Sequence, residues 1–217
     1  MTTQISPNNK LNELAGDQWL YFTKSLLNTN YPSEYSHELR KVHGANKPPR
    51  LMRQLIEFFT KPGALILDPF AGVGGTLIGT SICEKPRRAT GIEINPKWIS
   101  IYYQVLAENA ELQAQQMIEG DCLKVMQMMH EATFDFVVFD PPYNIHLQKT
   151  MSGESRAEQH PNRRTNYDMR SDYSADLANK TCYEEYLDTM GHVFAQCSRL
   201  LKPQKYCNYS APLLLCA

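Results

Sequence analysis

The stretch ALILDPFAGVGGTLIGTSICE, residues 64–84, changes its period halfway along. Residues 64–68 form a short apolar run of strand length that ends on Asp68. Gly72, Gly74 and Gly75 then let the backbone turn sharply and approach a ligand closely, and from residue 75 the chain reads as a helix. Strand, glycine turn and helix in that order begin a β–α unit, and the same grammar repeats outward. Upstream, KPPRLMRQLIEFFT (47–60) places Leu51, Leu55, Ile56 and Phe59 at helical spacing behind prolines suited to a helix start, and KPG stops it. Downstream, RATGIEIN (88–95) is a strand ending in an acid, and PKWISIYYQVLAENAEL (96–112) is a helix with Pro96 in its first turn. QQMIEGD (115–121) reads as a weaker strand, CLKVMQMMHE (122–131) as a helix and FDFVVFD (134–140) as a fourth strand. CYEEYLDTMGHVFAQCSRLL (182–201) is amphipathic, with Tyr186, Met190, Val193, Phe194 and Leu200 on its inner side. The alternation predicts an α/β fold with a doubly wound, mostly parallel sheet, whose chemistry sits at the carboxyl ends of the strands.

Composition narrows the classes. At 217 residues and 42% hydrophobic, the chain has the size and apolar content of one globular domain. A formal charge of -1 excludes a wholly basic nucleic-acid coat protein but leaves room for a local basic patch. The N-terminus is polar and no run approaches the ~18 apolar residues that span a bilayer, so a cytoplasmic protein without membrane contact is expected. No cysteine pair has C-x-x-C spacing and no histidine pair H-x-x-x-H spacing. Neither a metal site nor a disulfide framework is expected, and the cysteines read as small apolar fillers.

The unusual residues stand where the strands end. The glycine turn departs from G-x-G-x-x-G, because Leu77 holds the third glycine position, and it lacks the lysine of a triphosphate-binding loop. Glu93, ending the second strand, has the reach to accept from both hydroxyls of a ribose, and Asp121 could meet an adenine edge. Taken singly, each of these acids is more often a helix cap or a solvated group; together they make a set. At the fourth end, Pro141 and Pro142 hold an extended turn, so the Asp140 carboxylate and the Pro141 carbonyl can aim together as two acceptors. Two adjacent acceptors match an exocyclic amino group, and Tyr143 offers a face on which a planar base can stack.

DPFAGVGGT, GIEINP, GD and DPPYN, in that order, resemble the amino-methyltransferases of DNA, which use S-adenosyl-L-methionine (AdoMet) to methylate adenine N6 or cytosine N4. The resemblance runs from about Trp19 to Lys202 and includes HGANKPP (43–49) ahead of the glycine loop. It implies a Rossmann-like methyltransferase fold in which Lys47 and Pro48 flank the methionine end of AdoMet. Asp68, Phe70, Gly72 and Gly74 then surround that end, Glu93 holds the ribose and Asp121 the adenine. Asp140, Pro141, Pro142 and Tyr143 meet the target base, which is rotated out of duplex DNA. D-P-P-Y favours adenine N6 over cytosine N4, and a restriction–modification setting goes with the family.

The resemblance implies a single methyltransferase domain over 1–217, with an N-terminal extension (1–46), a cofactor and catalytic core (47–146), a polar loop (147–180) and a terminal helix with incomplete last strands (181–217). Gln204 stands where the family usually has glycine after LKP, and two further strands are expected in a complete domain, so a C-terminally shortened chain is expected. Arg40, Lys41, Lys47, Arg50 and Arg53 form the best basic patch for phosphates, with a solvated helix face as the plain alternative. The loop residues Arg156, Arg163, Arg164 and Arg170 invite closure over nucleic acid, or are an inert insertion. Trp19, Phe22 and Thr23 suit a core position first and a base-pocket wall second. An RNA or other amino-group substrate, and an inactive binding protein, stand as alternative functions. NAD chemistry finds no role for DPPY.

Overall fold

The computed structural model describes residues 4–22, 31–44, 46–142 and 172–209. Five strands make one sheet: β1 (Leu65–Asp68), β2 (Arg88–Glu93), β3 (Gln116–Glu119), β4 (Phe134–Phe139) and β5 (Leu201–Tyr209). Their order is β3-β2-β1-β4-β5 and every pairing is parallel. The chain leaves β1 toward β2 and later crosses to β4 on the other side, which makes the β1/β4 boundary a topological switch point. This is the doubly wound parallel α/β sheet expected from the alternation, and it agrees with the Rossmann-like class I methyltransferase fold that the resemblance implies.

Period-two side chains build a core on each face of the sheet. Ile66, Phe136 and Val138 point to one side, where they meet Met52 and Ile56 of α3 (Pro49–Phe59), Leu77 and Ile78 of α4 (Gly75–Ser81), and Ile101, Tyr102 and Val105 of α5 (Pro96–Glu108). Leu67, Val137 and Phe139 point to the other. There Val125 and Met126 of α6 (Cys122–Gln127) and Tyr186, Met190, Val193 and Leu200 of α7 (Tyr183–Leu200) cover them. Ile66, Leu67, Phe136 and Val137 are fully buried, each contributing about 1.5–3 kcal/mol relative to exposure. Phe194, expected inside, is only partly buried against this second core.

Helix ends follow local chemistry. Asn95 caps α5 by accepting from the Lys97 N–H (3.0 Å), with Pro96 at the first position, and α5 stops at Glu108 rather than 112 because Asn109 leaves helical geometry. The helix expected over 122–131 is likewise shorter. Two elements carried no clear period: α1 (Gly16–Phe22) and the single turn α2 (His37–Arg40), continued by a 3-10 turn over Lys41–His43. The Trp19 ring packs 4.9 Å from Phe58, and its Nε1 donates to Asn12 Oδ1 (3.2 Å). Since α3 ends at Phe59, Trp19 sits at the far end of that helix; it is half-buried, joins neither core cluster and does not line the cleft at the strands' carboxyl ends. Thr23 and the Phe22 side chain lie outside the described residues.

β5 begins directly at the end of α7, so LKP (201–203) is already part of the strand. Pairing jumps from Phe134–Leu201 to Phe136–Tyr206, and the extra residues of β5 loop out between them. Gln204 lies in that bulge with φ +61°, a left-handed conformation that costs a residue with a Cβ roughly 1–2 kcal/mol. The departure from the family's glycine therefore carries a backbone cost. Gln204→Gly is expected to raise stability by about 1 kcal/mol, after glycine's own entropy is set against the strain, as read from the urea midpoint. Residues after Tyr209 lie outside the described residues.

Among the described residues, no helix is long and apolar enough to cross a membrane.

Candidate active site

The carboxyl ends of β1 through β4 open into one cleft. Phe70, Ala71, Gly72 and Val73 come from the turn after β1, Glu93 and Ile94 from the end of β2, and Gly120, Asp121 and Cys122 from the β3–α6 junction. Asp140, Pro141 and Pro142 close the side beyond β4.

The glycine turn is shaped by what lies under it. The Ala71 N–H donates to the Ile92 carbonyl (2.9 Å) and the Gly74 N–H to the Ala71 carbonyl (2.9 Å), which straps the turn to β2. Gly74 has φ +80°, and a Cβ there would lie 2.3 Å from Cδ2 of Tyr102, a fully buried ring of α5. Only glycine fits both conditions. Gly72 is also left-handed, at φ +54°, and presents its N–H to Glu93 Oε2 at 2.8 Å.

Glu93 ends β2 inside the cleft. Its Oε1 accepts from the Asn95 N–H (2.8 Å). Burial pushes its pKa up to about 7; the Asn95 and Gly72 N–H groups pull the other way, and the charges of Asp176 and Asp68 add to the rise. The folded pKa thus lies above the ordinary 4.5, and the folded state keeps this proton where the unfolded chain has lost it. The sign follows: stability present below about pH 4.5 is lost as pH rises through about 7, by roughly 3 kcal/mol from this group alone. Glu93→Gln should flatten that part of the profile, measured as the difference between wild-type and variant urea stability at pH 4.5 and pH 8.

Lys47 enters from the stretch before α3. Its Nζ donates to Asp68 Oδ2 (2.6 Å) and to the Phe70 carbonyl (3.1 Å). Asp68 is fully buried; its Oδ2 also accepts from Thr76 Oγ1 (2.5 Å) and its Oδ1 from the Phe70 N–H (3.0 Å). Asp68 therefore braces the lysine and the turn from below and does not line the cleft. Pro48 caps α3 and Gly74 faces Tyr102, so neither of these lines it either. Asp121 both lines the cleft and caps α6, its Oδ1 accepting from the Leu123 N–H (3.0 Å). Tyr143 lies outside the described residues.

Other wall residues had weaker signals in the sequence. His43 and Asn46 stand in HGANKPP without a role of their own, and Trp98 is an aromatic on a helix that already had a core face. The His43 and Trp98 rings meet edge to face at 4.7 Å. Asp176 and Leu177 come from the last part of the polar stretch, where no period marks them.

The basic patch over 38–53 is corrected. Arg40 is fully buried, donating to the carbonyls of Tyr35 (2.9 Å) and Glu34 (2.9 Å) and to Asn46 Oδ1 (3.1 Å), and burial lowers its pKa to about 10. Arg50 pairs with Glu34 (2.6 Å), Arg53 with Glu57 (3.1 Å) and Glu84 (2.8 Å), and Lys41 with Glu38. Acids distant in sequence neutralise most of the stripe. The loop arginines 156, 163, 164 and 170 lie outside the described residues.

A parallel sheet with a glycine turn under a carboxylate-ended second strand and an Asp-Pro-Pro turn beside it has the architecture of the Rossmann-like class I methyltransferase fold. Residues 3–104 match the family model described as DNA methylase, and residues 54–156 match one described as conserved hypothetical protein 95. The type II methyltransferase M.Cfr9I of Citrobacter freundii is 41% identical over 60 residues, 28% of this chain and 19% of that protein. The putative methylase YubD of Escherichia coli is 44% identical over 52 residues, 24% of this chain and 22% of that protein. The chain thus matches about a fifth of the length of these relatives. A solved structure titled Crystal Structure of PH0851 shares the fold, with a TM-score of 0.52 at 12% identity over 84% of this chain and 37% of that one. On these matches the chain is similar to the amino-methyltransferases of DNA over part of its length. AdoMet is the cofactor that the family implies, and the cleft fits it: a buried acceptor for ribose hydroxyls, a glycine turn that admits close approach, and acids suited to a cationic ligand.

Proposed function

We propose that this chain transfers a methyl group from AdoMet to the exocyclic amino group of a base in DNA, with adenine N6 as the target. The observation that carries this reading is that Asp140, Pro141 and Pro142 open into the same cleft as Glu93 and Asp121. In this reading residues 1–217 act as one methyltransferase domain. Glu93 accepts the ribose hydroxyls, Asp121 the adenine amino group, and Lys47, with the turn at Phe70 and Gly72, lies at the methionine end. AdoMet supplies an electrophilic methyl group.

The protein's own part is at the target nitrogen. The Asp140 carboxylate and the Pro141 carbonyl each accept one N–H of the amino group, which draws its lone pair out of conjugation and turns it toward the methyl. As the C–N bond would form and the methyl's bond to the donor sulfur break, the nitrogen would become cationic; the Asp140 carboxylate stabilises that charge, and the nitrogen's proton is lost to water. A duplex target must first leave the stack, at a cost of a few kcal/mol.

The DNA-methylase match ends at residue 104, ahead of Asp140, so the turn that meets the substrate lies beyond it. An RNA amino group is therefore kept as the second reading. Incubation of the 217-residue chain with tritiated AdoMet and either unmodified genomic DNA or total RNA separates the two, and nucleoside analysis of the product separates N6-methyladenine from N4-methylcytosine. Label in DNA as N6-methyladenine is expected. Saturable NAD binding with no AdoMet binding in calorimetry would overturn the assignment.

A further inference from the structure

Four carboxylates line the cleft: Glu93, Asp121, Asp140 and Asp176. Among the described lysines and arginines only Lys47 reaches the wall, and its ammonium is already held by buried Asp68. The methyltransferase reading uses the first three acids and leaves Asp176 without a task.

Asp176 is not a stray surface acid. Its Oδ1 accepts from the Ala178 N–H (2.9 Å) and so starts the 3-10 turn over Leu177–Asn179. Leu177 and Ala178, at 4% and 2% exposure, pin that turn to the protein body, and Leu177 joins the core that includes Ile92 and Phe70. The carboxylate is thus held on a packed wall, close enough to Glu93 for its charge to act on that group. Two acids lining one part-desolvated cleft repel, and a cationic ligand in the cleft relieves the repulsion. AdoMet carries such a cation: its sulfonium is one methylene from the ribose ring, whereas the product S-adenosylhomocysteine has a neutral thioether there.

Resting on the cofactor reading above, we propose that Asp176 is a charge-selecting residue of the cofactor site, which favours the sulfonium of AdoMet over the thioether of its product. The consequence is regulatory as well as selective: the same carboxylate that draws in the methyl donor lets the spent cofactor leave.

Calorimetric titration of the full chain with AdoMet and, separately, with S-adenosylhomocysteine tests this in the wild type, Asp176→Asn and Asp176→Glu. Asparagine caps a helical turn as well as aspartate, so the turn survives while the charge goes. Asp176→Asn should weaken AdoMet about tenfold, the size expected for one unit charge a few ångströms away at a protein surface, and S-adenosylhomocysteine less than about threefold. Asp176→Glu should keep the wild-type preference. Retained thioether binding by Asp176→Asn itself reports an intact cleft. Equal weakening of both ligands would show that Asp176 touches the shared adenosyl part and overturns charge selection, as would no change in either. A wild-type chain that binds neither ligand would overturn the cofactor reading and this proposal with it.

Discussion

Asp140→Ala is expected to lower methyl transfer by about 100-fold or more while leaving AdoMet affinity within about threefold of wild type. The asymmetry comes from where the carboxylate stands. Asp140 follows the last residue of β4, across the topological switch point from the turn after β1, while Glu93 and Asp121 lie on the far side of β1. Pro141 is buried and both prolines line the cleft, so the backbone that carries the two acceptors is fixed before any substrate arrives. An acceptor held in place strengthens its grip as the nitrogen gains charge and needs no reorganisation at that moment. Its loss therefore falls on the rate. Single-turnover transfer of tritiated methyl, run beside calorimetric titration of AdoMet on the same preparation, reads both quantities. Parallel losses in rate and cofactor affinity would assign Asp140 to the cofactor instead.

The parts that sequence reading recovered are those with a local cause. β1, β2 and β4 are apolar runs closed by acids or prolines, and α3 and α5 begin at prolines, so each announces itself within a window of a few residues. The turn at Gly72 and Gly74 was legible as a turn because a run of glycines after a strand has few other uses, but that Gly74 faces Tyr102 and not the cleft was not. What stayed hidden depends on partners far along the chain. Arg50 and Arg53 read as part of a basic stripe because Glu34 and Glu84 are too distant in sequence to be weighed against them, and Arg40 gave no sign that its guanidinium would serve three oxygens inside the fold. Asp176 is one acid in a polar stretch, and only the burial of Leu177 and Ala178 brings it to the cleft. Gln204 was noticed as a departure, yet its left-handed backbone belongs to the bulge in the β4–β5 ladder, which no local pattern encodes.

Asp68→Ala is expected to cost about 3–5 kcal/mol of stability, the range for removing one partner of a buried ion pair. The residue reads from its motif as a cofactor contact, but its carboxylate is fully buried and saturated by Lys47, Thr76 and the Phe70 N–H. Truncation leaves the Lys47 ammonium, whose side chain is 12% exposed, with the Phe70 carbonyl as its remaining acceptor among these contacts, and it removes the brace under the glycine turn. Both losses act on the folded state, so the urea midpoint should fall, and AdoMet binding should fall with it, because the turn at Phe70 and Gly72 is no longer held. The double substitution Lys47→Met with Asp68→Ala separates the causes. If the stranded ammonium is the main penalty, removing it as well should recover a good part of the stability, since an apolar replacement for a buried pair is often neutral. Cofactor affinity should nevertheless stay low in the double variant, because the brace is still missing. A fully stable Asp68→Ala chain that has lost only AdoMet binding would reverse this view and return Asp68 to direct contact with the cofactor.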